Sequence, residues 1–83
     1  MTGIATEQDV FEVVRRNTLE VLPEVPADLV RIDGTLTDLG ANSIDRADIV
    51  TMSMEALGIT VPIREFQSVR DIQSLVDLLR RHL

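Results

Sequence analysis

The sequence predicts an all-α fold: a bundle of four helices of unequal length, with a long loop between the first and second and a short third helix. Three observations predict it. Apolar residues recur at helical spacing in three separate stretches. Each stretch opens beside a polar residue that can cap a helix, and the first two are stopped by Pro23 and Gly58. Between the second and third lies a short segment that follows Pro62 and is long enough for one helical turn. Four helices around one apolar core follow from this pattern.

The first helix should run from about Glu7 to Val21. Thr6-Glu7-Gln8-Asp9 reads as a capping box with Asp in place of the commoner Glu. Val10, Val14 and Val21 then recur at helical spacing beside Phe11 and Val13. Pro23 and Pro26 end the helix, and the stretch up to Asn42 shows no sustained period. A loop of this length in so small a chain needs structure of its own or a function. Its apolar residues Val25, Leu29, Val30, Ile32, Leu36 and Leu39 are expected to pack across the bundle, with a short helical turn around Ala27 to Val30.

The second helix opens with Asn42 as N-cap and Asp45 three residues later, and runs to Leu57, where Gly58 offers a left-handed cap. Ile49, Val50, Ser53 and Leu57, with Ala47 and Met54 alongside, form an arc suited to the core. Opposite them, Ile44, Asp48, Thr51 and Glu55 make one exposed stripe. Arg46 breaks the acidic pattern. It lies over the apolar arc in the first turn, and is expected to snorkel past the edge of the core, with a partner contact or a pairing with a loop acid such as Asp38 as the alternatives. Ile63-Arg64-Glu65-Phe66 reads as the short third helix. The fourth should be capped by Ser68 with Asp71 at its third position, followed by Val69, Ile72, Leu75, Val76, Leu79 and Leu83 at helical spacing.

Composition narrows the function classes. At 83 residues the chain is expected to be one domain, 1–83, too small for both a binding cleft and an ordinary catalytic apparatus. It has no cysteine, which excludes disulfides and thiolate metal sites, so any thiol used in chemistry must come from a prosthetic group. A cytoplasmic monomer is expected. No basic region precedes an apolar stretch, no apolar run approaches membrane-spanning length, and Met1 leads into a short polar segment. The net charge of −6 argues against nucleic acid and anionic membranes and favours partners with basic docking surfaces. The charge is uneven: residues 1–62 hold eleven acids and four arginines, residues 63–83 three acids and four arginines.

The most informative stretch is Leu39-Gly40-Ala41-Asn42-Ser43-Ile44-Asp45, which ends a loop and opens a helix with one serine at the helix start. In a first helical turn, free backbone N–H groups and the positive end of the helix dipole favour a phosphate group. Ser43 as an enzyme nucleophile would need a nearby base, and the single histidine, His82, stands second from the end of the last helix, where it reads as a surface residue. Asp38, Asp45 and Asp48 lack the spacing of a metal-binding loop, so no metal is expected. Met52 and Met54 read as helix residues, with Met54 in the core.

Gly40-Ala41-Asn42-Ser43-Ile44 resembles the acyl carrier proteins, whose motif is Gly-x-Asp-Ser-(Leu/Ile) at the start of the second helix. The resemblance extends from Leu36 through Gly58-Ile59-Thr60-Val61-Pro62 to the final helix. It implies a non-catalytic carrier with 4′-phosphopantetheine, taken from coenzyme A by a phosphopantetheinyl transferase, attached at Ser43. The usual aspartate is Asn42 here, an equally good N-cap. The resemblance also implies that partner enzymes read the start of the second helix. Ile44, Asp45, Arg46, Ala47, Asp48, Thr51 and Glu55 are the candidates there, with Ile63 beside them on the short third helix.

The wording from Leu39 to Val50, with Asn42 and Arg46 in it, looks closest to the freestanding donor carriers of polyketide β-branching cassettes. That subset implies malonyl loading by an acyltransferase, decarboxylation to acetyl by a ketosynthase-like enzyme, and acetyl donation through an HMG-CoA-synthase-like enzyme to the β-keto group of a chain on another carrier. The alternatives are a discrete carrier for ordinary polyketide or fatty-acid extension, and a helical interaction module that is never modified, in which Ser43 merely helps to cap the second helix.

Overall fold

The structure, a computed structural model, describes residues 5–83, so the first four residues of the polar lead lie outside it. It contains three α-helices, α1 (Glu7–Val21), α2 (Ser43–Leu57) and α3 (Ile72–Arg81), with a 3₁₀ turn at Ala27–Leu29 and a 3₁₀ helix at Ile63–Ser68. There is no strand among the described residues. The all-α bundle is as the sequence predicts.

α1 packs against both α2 and α3, and the 3₁₀ helix leans on α3. The core between them is made by Val10, Val14, Ile49, Ile72, Leu75, Val76, Leu78 and Leu79, none of them more than 1% exposed. Burying each such side chain contributes roughly 1.5–3 kcal/mol. The long loop supplies Val30 and Leu36 to the same core, with Val25, Ile32 and Leu39 partly buried against it. Leu29 does not join them. It stands 54% exposed, because the 3₁₀ turn is fixed by the Leu29 and Val30 amides bonding back to Pro26 and Ala27, and this aims Val30 rather than Leu29 inward.

Among the described residues three polar side chains are buried with the apolar ones. Asn17 Nδ2 donates to Ser53 Oγ across the α1–α2 interface at 3.2 Å, and Ser53 Oγ donates to Ile49 O at 2.7 Å. Thr18 Oγ1 donates to Val14 O at 2.7 Å. With these partners the groups avoid the cost of an unpaired buried dipole.

α1 begins and ends where the sequence places it, with the reciprocal Thr6–Asp9 box formed. α2 likewise runs from the Asn42 cap to Gly58, whose φ of 68° closes the helix. The last helix differs from expectation. Ser68 ends the 3₁₀ helix, where its hydroxyl donates to Glu65 O, and Asp71 caps α3 with Ser74 as its third residue. The physical reason is a longer 3₁₀ helix than the one turn expected: it extends through Ser68, and Val69 then leaves in an extended conformation. Leu83 lies beyond the last turn of α3 and is 49% exposed, so it is not a core residue.

Candidate functional site

The chain reaches Ser43 through a tight turn. Leu39 N–H bonds to Leu36 O at 3.1 Å, Gly40 N–H to Thr37 O at 3.0 Å, and Ala41 N–H to Leu36 O at 3.1 Å. Leu36 and Ala41 are buried and anchor the two ends of this turn. Gly40 adopts φ 98°; a β-carbon there would meet no atom within 4 Å, so backbone conformation rather than space calls for glycine. Asn42 then caps α2. Its Oδ1 accepts Asp45 N–H at 2.8 Å, and Asp45 Oδ2 accepts Asn42 N–H at 3.1 Å.

This box decides the state of Ser43. The serine is the first residue of α2, exposed, and among the described residues its hydroxyl makes no hydrogen bond. The capping box is formed by Asn42 and Asp45 without it. The amides of Asn42 and Asp45 are satisfied by the box and that of Arg46 bonds to Asn42 O at 2.9 Å, which leaves the N–H groups of Ser43 and Ile44 without an acceptor among the described residues. A phosphate ester on Ser43 Oγ would sit beside two unspent donors at the positive end of a helix.

The surrounding side chains divide into spent and presented groups. Asp45 is half-buried and its carboxylate is committed to the box, whereas Ile44, 70% exposed, Asp48, Thr51 and Glu55 form the open stripe expected of them. Ala47 is exposed and not part of the core arc, because it faces a cleft of about 580 Å³ between α2 and the 3₁₀ helix. Val50, Thr51, Met54, Ile63 and Phe66 line the same cleft, and Met54 is partly buried against the core. Ile63, 88% exposed, stands at its edge. Arg46 neither snorkels freely nor pairs with Asp38. Its Nη1 donates to Ala41 O at 3.0 Å and to Thr37 Oγ1 at 3.3 Å.

Among the described residues no histidine or carboxylate side chain is hydrogen-bonded to the Ser43 hydroxyl. His82 is half-buried rather than a free surface residue, because its Nε2 lies 2.9 Å from Glu65 Oε1 and ties the end of α3 to the 3₁₀ helix. Among the described residues no group of three or more His, Cys, Asp or Glu side chains could hold a metal ion. No helix there is long and apolar enough to cross a membrane.

Sequence reasoning missed Asn17 and Thr18. Asn17 falls three residues after Val14, a polar interruption on an apolar stripe, and that was the available signal. It also missed the clamp made by Arg46, for which no local pattern exists, since both acceptors lie in the preceding loop.

Residues 12–79 match the phosphopantetheine attachment site family. The polyketide biosynthesis acyl-carrier-protein AcpK of Bacillus subtilis (strain 168) is 40% identical over 73 residues, covering 88% of this chain and 89% of that protein. The chain belongs to the acyl carrier protein family. The acyl carrier protein of Campylobacter hominis is 35% identical over 89% of this chain and 98% of its own length. That of Petrotoga mobilis is 31% identical over 94% and 92%. No solved structure matches the chain. As a family member this acyl carrier protein bears covalent 4′-phosphopantetheine. An exposed, uncommitted hydroxyl flanked by two free backbone donors is a residue environment into which that group fits.

Proposed function

We propose that Ser43 is the attachment residue and that the chain is a single-domain, non-catalytic carrier that donates acetyl, derived from malonyl, to an HMG-CoA-synthase-like enzyme in polyketide β-branching. One observation supports the attachment residue above all others: the Asn42–Asp45 box caps α2 without using Ser43 Oγ, which is left free. In the attachment reaction the hydroxyl oxygen would bond to the pantetheine-side phosphorus of the coenzyme A diphosphate, the bond from that phosphorus to the bridging oxygen would break, 3′,5′-adenosine diphosphate would leave, and the transferase would take the hydroxyl proton. Ser43 needs no base of its own for this.

The bound arm supplies a thiol that holds the acyl group as a thioester. The chain's own part is presentation. The free amides of Ser43 and Ile44 hold the phosphate end at the helix start, and tethering replaces diffusional encounter with a high local concentration at a docked enzyme. Ile44 is an exposed apolar anchor at the head of the stripe carrying Asp48 and Glu55, which suits partners with a basic rim around an apolar pocket. Such partners are the transferase, an acyltransferase, a decarboxylating ketosynthase-like enzyme and the HMG-CoA-synthase-like enzyme. A cytoplasmic monomer goes with this reading.

The likeness to a polyketide biosynthesis carrier, together with Asn42 and Arg46, supports the β-branching role. The likeness to ordinary acyl carrier proteins supports a second reading, chain extension with a ketosynthase partner. Intact-protein mass spectrometry after incubation with coenzyme A and a broad-specificity phosphopantetheinyl transferase tests the attachment. One pantetheinyl increment is expected on the parent chain and none on Ser43→Ala. An increment that survives in Ser43→Ala would remove the site. Transfer of acetyl from the loaded carrier to the synthase, but not of elongated chains to a ketosynthase, would then separate the two roles.

A further inference from the structure

The turn that precedes Ser43 and the helix that follows it are joined by one side chain. Arg46, in the first turn of α2, bonds to the Ala41 carbonyl at 3.0 Å and the Thr37 hydroxyl at 3.3 Å, and neither acceptor belongs to its own helix. The contact closes a ring from Ala41 to Arg46, and Ser43 lies inside that ring. Asn42 O, which accepts the Arg46 amide, braces it from within.

The choice of residue is informative because helix physics opposes it. A cation in a first turn meets the positive end of the dipole and disfavours the helix. Its place is explained by what it holds. Leu36, Leu39 and Ala41 pack the turn on the core, but its tip, Thr37, Asp38 and Gly40, is exposed, and backbone hydrogen bonds at an exposed tip open at lower free-energy cost than buried ones. Arg46 adds a charge-assisted bond to the carbonyl of buried Ala41, the last residue before the cap.

We infer that Arg46 is a positioning residue for the attachment reaction: by clamping the 36–41 turn to α2 it fixes the direction in which Ser43 Oγ leaves the helix start. The inference rests on Ser43 being the attachment residue. In-line attack on phosphorus is sensitive to the placement of the oxygen, and a shift of about 1 Å can cost about 100-fold in rate. A loosened turn samples such shifts without unfolding the bundle.

The test is steady-state modification of the parent, Arg46→Ala, Arg46→Lys and Thr37→Val by a phosphopantetheinyl transferase with coenzyme A, followed by mass, together with amide hydrogen exchange on the unmodified chains. In Arg46→Ala, kcat should fall about tenfold with KM for the carrier changed less than about twofold, and Arg46→Lys should recover part of the loss. Thr37→Val keeps the charge and removes one acceptor; it should lower kcat in the same direction, by less, and add nothing in combination with Arg46→Ala. Exchange at the Gly40 and Ala41 amides should quicken in Arg46→Ala while that at core amides of α1 does not. An unchanged kcat in folded Arg46→Ala would overturn the inference, and so would a loss confined to KM, which would make Arg46 a transferase contact. If the parent itself is not modified, the Ser43 reading fails, and unaltered exchange at Gly40 and Ala41 would remove the clamp as well.

Discussion

The starts of α2 and α3 are built from the same parts and used in opposite ways. Each has a reciprocal box, Asn42 with Asp45 in one and Asp71 with Ser74 in the other, and each has a serine and an isoleucine in its first turn. In α3 the serine is spent: Ser74 Oγ accepts the Arg70 and Asp71 amides at 2.9 and 3.0 Å and bonds to Asp71 Oδ1 at 2.7 Å. Its isoleucine, Ile72, is 1% exposed, and the Ile72 amide bonds to Gly34 O at 2.9 Å. In α2 the serine hydroxyl is free and Ile44 points outward. Position within the turn, not residue type, separates a helix start that closes the fold from one that stays open to solvent. At the first position the hydroxyl cannot reach the box, whereas at the third it is the box.

The largest effect expected from this contrast is in the isoleucines. Ile72→Ala should cost about 2–5 kcal/mol, because it truncates a fully buried core side chain. Ile44→Ala should stay within about 0.5 kcal/mol, as surface substitutions do. Urea denaturation of both variants checks the pair. Comparable losses would mean that Ile44 is packed and that the α2 start is no more open than that of α3.

A smaller difference is expected in the serines. Ser74→Ala leaves two amides and a carboxylate short of their partner, and should cost about 1 kcal/mol. Ser43→Ala should leave the thermal midpoint where it was, while abolishing modification. Calorimetry on the unmodified proteins compares them directly. A destabilised Ser43→Ala would return Ser43 to the role of a cap.

How legible these two starts were in the sequence follows from the same physics. α2 was readable because Asn42, Asp45 and Gly58 are local signals whose meaning does not depend on the rest of the fold, and the α1 limits rest on Thr6, Asp9 and Pro23 in the same way. α3 was misread at its start because two overlapping signals compete. Ser68-Val69-Arg70-Asp71 and Asp71-Ile72-Gln73-Ser74 both spell a box, and the choice is made by contacts distant in sequence, including the bond from the Ile72 amide to Gly34. Ala47 reads both ways in the sequence, beside the apolar arc and among the candidates for the docking face; it is exposed because the 3₁₀ helix stands back from it and leaves a cleft. The open face of α2 was visible from periodicity. The arginine clamp behind it was not, since it depends on where a loop of irregular backbone returns.

The smallest expected effect is electrostatic, and it distinguishes the two caps by their chemistry. Asp71 is held below the usual carboxylate range, first by the Ser74 amide and then by the Ser74 hydroxyl, both of which favour its ionised form. A carboxyl whose folded-state pKa is depressed contributes stability that is fully present above its unfolded value of about 3.9 and is lost as pH falls through the folded value. Asn42 has no proton to gain, so the cap residue of α2 carries no such dependence. Asp71→Asn keeps a good N-cap and removes the titration. The stability gap between parent and Asp71→Asn, measured by urea midpoints, should therefore be larger at about pH 6 than at about pH 3. The reciprocal change, Asn42→Asp, should introduce a dependence of the same sign at the start of α2, because the new carboxylate would accept the Asp45 amide that Asn42 Oδ1 accepts now. A gap that does not vary with pH in either variant would mean that acid acts on the fold elsewhere, and that the two helix starts differ in what they expose but not in how they hold charge.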